Sequence, residues 1–134
     1  LEWTDANRLG IEDIDEQHYK LFLNSLKLLE AVKTDVGKAE IGEIMSYLGQ
    51  YVVEHFSTEE AYMVECAYPF HEIHKREHGR FIADFTHIKK EIAESLLSKT
   101  YLLFQIQIFL IDWLINHTCK TDKHFGNFYK NFRK

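Results

Sequence analysis

Apolar side chains recur every three or four positions along four stretches of this chain, and here and there a histidine or carboxylate takes the apolar place on the same stripe. That spacing is the period of an α-helix with one buried face. The first stretch covers about residues 15–33, where Leu21, Phe22, Ser25, Leu28, Leu29 and Val32 follow His18, and it stops near Asp35 and Gly37. A second fits 38–66, with Ile41, Ile44, Leu48, Tyr51, Val52, His55, Glu59 and Met63 inward. Pro69 marks its boundary, because proline starts helices and does not continue them. The third, about 70–98, aligns His74, His78, Phe81, Phe85, Ile88 and Ile92, and 98–100 form the next connection. The fourth, about 101–120, presents Leu103, Ile106, Leu110, Trp113, Leu114 and His117, with Gly126 beyond it and room for another turn in the aromatic, basic tail.

Four such helices with short breaks predict an all-α, antiparallel up-down four-helix bundle. The first dozen residues, including Trp3 and Gly10, lack periodicity and read as an extended arm folded over it. At 134 residues, with one Pro, six Gly and 46% hydrophobic residues, the chain 1–134 is one domain with one core.

Polar residues on those stripes carry the chemistry. His18, His55, Glu59, His74, His78, His117 and Asp122 all face inward, and left unpartnered each would cost several kcal/mol on burial. Imidazole and carboxylate suit zinc, copper, iron and nickel, and seven donors are too many for one tetrahedral ion but right for two. Helical positions i and i+4 lie about 40° apart, so His55 with Glu59 and His74 with His78 can meet the same ion pair. His117 and Asp122 are five apart, about 140° in an ideal helix, which predicts a π-type turn or a chain that leaves the helix before Asp122. His71, His87 and His124 fall outside the constellation and read as surface residues. Glu54, Glu60 and Asp15 read as solvated groups or as partners that orient a ligand imidazole.

At these residues the chain resembles the hemerythrin family, and in particular its bacterial members, across essentially its full length. The matching pieces are Gly10-Ile11, Ile14-Asp15-Glu16-Gln17-His18, His55-Phe56-Ser57-Thr58-Glu59-Glu60, Met63, Tyr68-Pro69, His74 to His78, and Trp113-Leu114-Ile115-Asn116-His117 with Asp122. The resemblance implies a non-haem di-iron centre that binds dioxygen reversibly. In it His74, His78 and His117 would complete one iron and His18 and His55 the other. Glu59, Asp122 and an oxo or hydroxo group would bridge the two, with dioxygen at the open position of the two-histidine iron.

Two arguments, one from charge and one from motif, agree with that expectation. Neutral imidazoles leave the diferrous site with net positive charge, which disfavours loss of further electrons. The chain also contains no Glu-x-x-His, the paired motif of carboxylate-rich di-iron enzymes. Reversible binding needs a dry pocket. Phe22, Trp113 and Leu114 are its expected walls, with Phe56 and Met63 as additions. Thr118 departs from the aliphatic residue of many bacterial members. Its hydroxyl either enters the pocket, so that Thr118→Ile would slow autoxidation, or points to another helix.

The expected function is oxygen carriage, storage or delivery, without catalysis. The alternatives are an oxygen or redox sensor signalling to an attached module, and a di-iron peroxidase or oxidase. Zinc or manganese would also suit the donors. The net charge of −5 and the lack of a dense basic block argue against nucleic acid, with Lys120, Lys123, Lys130, Arg133 and Lys134 read as solvated. The longest apolar run, broken by Gln107 and Asp112, falls short of a membrane span, and no signal-peptide pattern is present. The absence of an initial Met implies a trimmed chain or a piece of a longer one. Cys66 and Cys119 lack CxxC spacing and read as reduced thiols, hence a cytoplasmic protein.

Overall fold

The computed structural model describes residues 3–94 and 98–133. Within them the chain forms four long helices: α1 over Glu12–Lys33, α2 over Lys38–Glu65, α3 over His71–Ala93 and α4 over Lys99–Arg133. α1 packs on α2, α2 on α3, and α4 closes the bundle against α1 and α3. Short connections make successive helices antiparallel, as the periodicity predicts.

Local chemistry sets the helix ends. α1 stops where Asp35 turns to a φ of 52° and the amide of Val36 donates back to the Ala31 carbonyl. α2 stops the same way, with Ala67 at a φ of 51° and the Tyr68 amide on the Met63 carbonyl. Both are Schellman endings, which satisfy carbonyls that the helix itself leaves open. α1 begins at Glu12, earlier than expected, since Asp13 and Ile14 continue the helical pattern.

Three expectations need correction. Ser98 caps α4 by accepting from the Tyr101 amide at 3.2 Å, so 98–100 open the helix and do not bridge to it. The third helix, expected to run to about 98, ends earlier: it is helical to Ala93 with Glu94 as its C-cap, 95–97 lie outside the described residues, and Ser98 already belongs to the next helix. α4 does not end near 120 but continues to Arg133, because Phe125 and Tyr129 extend its buried stripe and pack on Leu9, Ile14 and Met63. That unbroken helix is long and apolar enough, by length and composition, to cross a membrane. Its inner face is spent on the bundle core.

The N-terminal arm is partly helical, with a 3-10 turn over Asp5–Asn7 capped by Thr4. Leu9 of the arm seats on Gly126 so closely that an added Cβ would lie 2.9 Å from the Leu9 Cβ. Gly126→Val is therefore expected to lower stability by about 1–3 kcal/mol through overpacking, measured by thermal melting. An unchanged melting temperature would mean that the arm is not held there.

The apolar interior comes in two parts. The larger contains Leu21, Leu28, Leu48, Phe81, Ile106 and Leu110, and the smaller contains Leu9, Ile14, Met63, Tyr68 and Phe125. Between them lies a polar layer. Ile14 and Leu21 flank His18, Phe56 and Met63 flank Glu59, and Ile115 and Phe125 flank His117 and Asp122.

Candidate metal centre

All seven predicted donors meet in that layer, and each is buried. Helical spacing delivers His55 and Glu59 from α2 and His74 and His78 from α3, while α1 supplies His18. His117 and Asp122 reach the same layer because α4 widens into a π segment over Thr118–Asp122. The π turn predicted from their five-residue separation is present, and it brings Asp122 Oδ1 to 2.9 Å from His117 Nε2.

The two carboxylates divide their oxygens between two groups of imidazoles. Glu59 Oε1 lies 2.7 Å from His74 Nε2 and 3.3 Å from His78 Nε2, while Oε2 lies 3.3 Å from His18 Nε2 and 3.3 Å from His55 Nε2. Asp122 repeats the pattern, with Oδ1 at 2.8 Å from His74 and 2.9 Å from His117, and Oδ2 at 3.2 Å from His18. Donors bound to one ion at about 2.1 Å and at right angles sit about 3 Å apart, so these spacings are those of neighbouring ligands.

Hydrogen bonding does not account for the cluster. Both Glu59 oxygens, Asp122 Oδ1, both His18 nitrogens, His78 Nε2 and His74 Nδ1 are buried without a hydrogen-bond partner. The imidazole nitrogens and carboxylate oxygens converge instead on two shared points, one for each group of donors. Unpartnered polar atoms at this density are costly, and cations at those points would remove the cost. The donors present therefore fit two metal ions.

Outer nitrogens are held by residues on neighbouring helices. His55 Nδ1 donates to Gln17 Oε1 at 2.8 Å and His78 Nδ1 to Glu60 Oε2 at 2.9 Å, and Glu77 Oε2 lies 3.5 Å from His117 Nδ1. An acceptor on Nδ1 keeps the proton there and leaves the Nε2 lone pair facing inward. Glu60 was expected in such a role, whereas Gln17 and Glu77 were not. Asp15 instead holds the arm, accepting from the amides of Leu9 and Gly10, and Glu54 is exposed. Stacking fixes ring planes as well: Phe56 lies flat on His78 at 3.8 Å and Trp113 on His117 at 4.3 Å.

The expected oxygen-pocket walls separate into two sets. A small, partly open apolar cavity of about 20 Å³ is lined by Trp113, Leu114 and Phe56, together with Leu21, Val52 and Phe81. That is about the room one small molecule needs. Phe22 is not among its walls and packs instead under Trp3 of the arm at 5.1 Å. Thr118 is not among them either: it is buried and faces the arm. Met63 belongs to the smaller core. His71 is half-buried, and His87 and His124 are exposed.

Charges in the polar layer are strongly shifted. Burial opposes a proton on His18, but Asp122 and Glu59 outweigh it and push the imidazole up to about 9. His74 is pushed up to about 10 in the same way. Burial also opposes charge on Glu59, yet four imidazoles hold its carboxyl well below the usual range. Burial and the neighbouring His18 push His55 down.

At pH 7 an entering cation must displace the protons on His18 and His74. Proton release on Co(II) uptake is expected at pH 7 and should fade as pH rises through about 9 to 10, while affinity climbs. For the metal-free protein the sign reverses. Stability from those two protons is complete below the unfolded value near 6.5 and is lost as pH rises through 9 and 10. Calorimetric titration in buffers of different ionisation enthalpy counts the protons, and a count independent of pH would contradict this account.

A four-helix bundle that gathers seven histidine, glutamate and aspartate side chains in one buried layer, in two groups that could each hold a metal ion, defines a histidine-rich cation-binding protein. The chain belongs to the hemerythrin family: the description "Hemerythrin HHE cation binding domain" matches residues 9–129. It is similar to bacteriohemerythrin of Stenotrophomonas maltophilia, with 32% identity over 95% of this chain and 80% of the relative. Bacteriohemerythrin of Clostridium acetobutylicum is 31% identical over 92% of this chain and 96% of its own. A crystal structure of a hemerythrin mutant superposes with a TM-score of 0.82 at 27% identity, covering 96% of both chains.

Proposed function

We propose that this protein binds dioxygen reversibly at a non-haem di-iron centre and serves carriage, storage or delivery. The observation that carries this reading is the division of oxygens, in which Glu59 and Asp122 each present one oxygen to the three-histidine group and the other towards the two-histidine group. His74, His78 and His117 would hold one iron, His18 and His55 the other, and both carboxylates would span the pair. When bound, two irons supply the two electrons that dioxygen binding takes up and returns.

The chain's own residues then decide what that chemistry becomes. The two-histidine group offers one nitrogen fewer, which leaves room for a small ligand. Phe56 and Trp113 stack flat on His78 and His117 and also line the apolar cavity, so those ligand rings are covered by apolar surface that keeps water from them. Glu60 sits on the outer nitrogen of one ligand ring and Glu77 faces that of another, so neither is free as a proton donor at the inner face. This favours binding over turnover. Cys66 and Cys119 are not joined in a disulfide, which suits a reducing cytoplasm.

Visible spectra of the anaerobically reduced, iron-loaded protein test the reading. An absorption band that appears with oxygen and disappears on degassing is the expected result. A band that decays to a stable ferric spectrum and does not reverse would overturn carriage, and no iron-dependent spectrum would overturn the di-iron reading itself.

A further inference from the structure

We propose that Asn7, in the N-terminal arm, is a positioning residue for the metal centre, clasping the π turn of α4 that brings Asp122 and His117 into one layer. The inference rests on the two-ion reading above. Asn7 is 1% exposed, unusual for an asparagine in an arm, and every polar atom of its side chain is engaged. Its amide nitrogen donates to Thr118 Oγ1 at 2.8 Å, and the Ile115 carbonyl at 3.3 Å and Cys119 Sγ at 3.1 Å are also in reach. Its Oδ1 accepts from the Thr4 amide at 3.1 Å, which ties the clasp to the arm's own turn. Thr118 completes it by donating to the same Ile115 carbonyl at 3.0 Å.

The clasped atoms belong to residues 115, 118 and 119, on either side of His117 and at the entry to the Thr118–Asp122 π segment. A π turn is less favourable than an α turn, and single π turns persist where something else fixes them. If this one relaxed to α geometry, Asp122 would lie about 140° round the helix from His117 and leave the layer. The arm holds the segment at its far end as well, where Lys123 Nζ donates to the Arg8 carbonyl at 2.6 Å. Apolar anchoring of the arm is supplied by Trp3 and Leu9, so the buried amide of Asn7 is not needed for packing alone.

The test uses Co(II) as probe, with metal content per chain, affinity and the cobalt d–d bands as readouts, beside melting of the metal-free protein. Asn7→Leu keeps the side chain's branched shape and removes its donors and acceptor. It should fold and melt near wild type when metal-free, bind Co(II) at least about tenfold more weakly, and show altered bands. Thr118→Val, which removes the hydroxyl acceptor but keeps the shape, should move affinity and bands in the same direction, and it carries the test alone if Asn7→Leu does not fold. Wild-type affinity and unchanged bands in a folded Asn7→Leu, or in Thr118→Val when only that variant folds, would overturn the clasp. A wild-type chain that takes up fewer than two Co(II) ions would instead overturn the two-ion reading.

Discussion

Replacing Glu59 with glutamine is expected to abolish the two-ion centre while leaving the bundle folded. Glu59 lies within 3.3 Å of the Nε2 atoms of His18, His55, His74 and His78, reaching both histidine groups at once. Glutamine matches its shape but offers one acceptor oxygen, and the amide nitrogen that replaces the other has no lone pair to give a metal. It also removes a negative charge from a buried layer that must neutralise two cations. Loss of a partner behind a ligand typically weakens metal binding by about 10- to 100-fold, so loss of a shared ligand should exceed about 100-fold. Metal analysis after desalting should show fewer than two ions per chain, with far-ultraviolet circular dichroism unchanged. Two ions retained at wild-type affinity would mean that Glu59 does not join the groups.

Removal of the metal should cost the protein a large part of its stability. The polar layer holds seven buried nitrogen and oxygen atoms without hydrogen-bond partners, all on His18, Glu59, His74, His78 and Asp122. Two cations of like-signed charge draw these donors together. Without them, the layer keeps its protons and carboxylates in imperfect geometry, between two apolar clusters that it joins. An ion present at about 1,000 times its dissociation constant stabilises the folded state by about 4 kcal/mol, and two do so twice over. For a domain of this size that corresponds to about 30 °C in melting temperature. Calorimetry of chelated and reloaded protein measures it directly, and a difference of only about 2 °C would show that the apolar clusters carry the fold without help.

Legibility differed between the helices and what lies between them. The four inward stripes, the seven donors and the turn at Asp122 are local consequences of helical period, and five residues between two inward groups already demand a wider turn. α4 was expected to end near 120, short of Gly126, because the inward stripe was followed only as far as His117. In three dimensions Gly126 is the seat for Leu9, whose contact makes the missing side chain an advantage. Gln17 and Glu77 escaped for a related reason. Each directly precedes a donor, about 100° away on its own helix, yet Gln17 serves His55 on α2 and Glu77 faces His117 on α4.

Thr118 shows the same boundary at a single residue. Its position on α4 follows from period, and its environment does not: the partner that turns its hydroxyl away from the cavity lies 111 residues earlier in the chain. The sequence by itself determined the all-α bundle, the identity of the buried donors and the need for a widened turn. These follow from which side of each helix excludes water, a property carried by neighbouring residues. Tertiary structure alone decided which carboxylate oxygen meets which imidazole, what holds each outer nitrogen, and how the arm grips α4. Those depend on helix rotation and axial offset within the bundle, set by packing between side chains far apart in sequence, to which a stripe of apolar residues is indifferent.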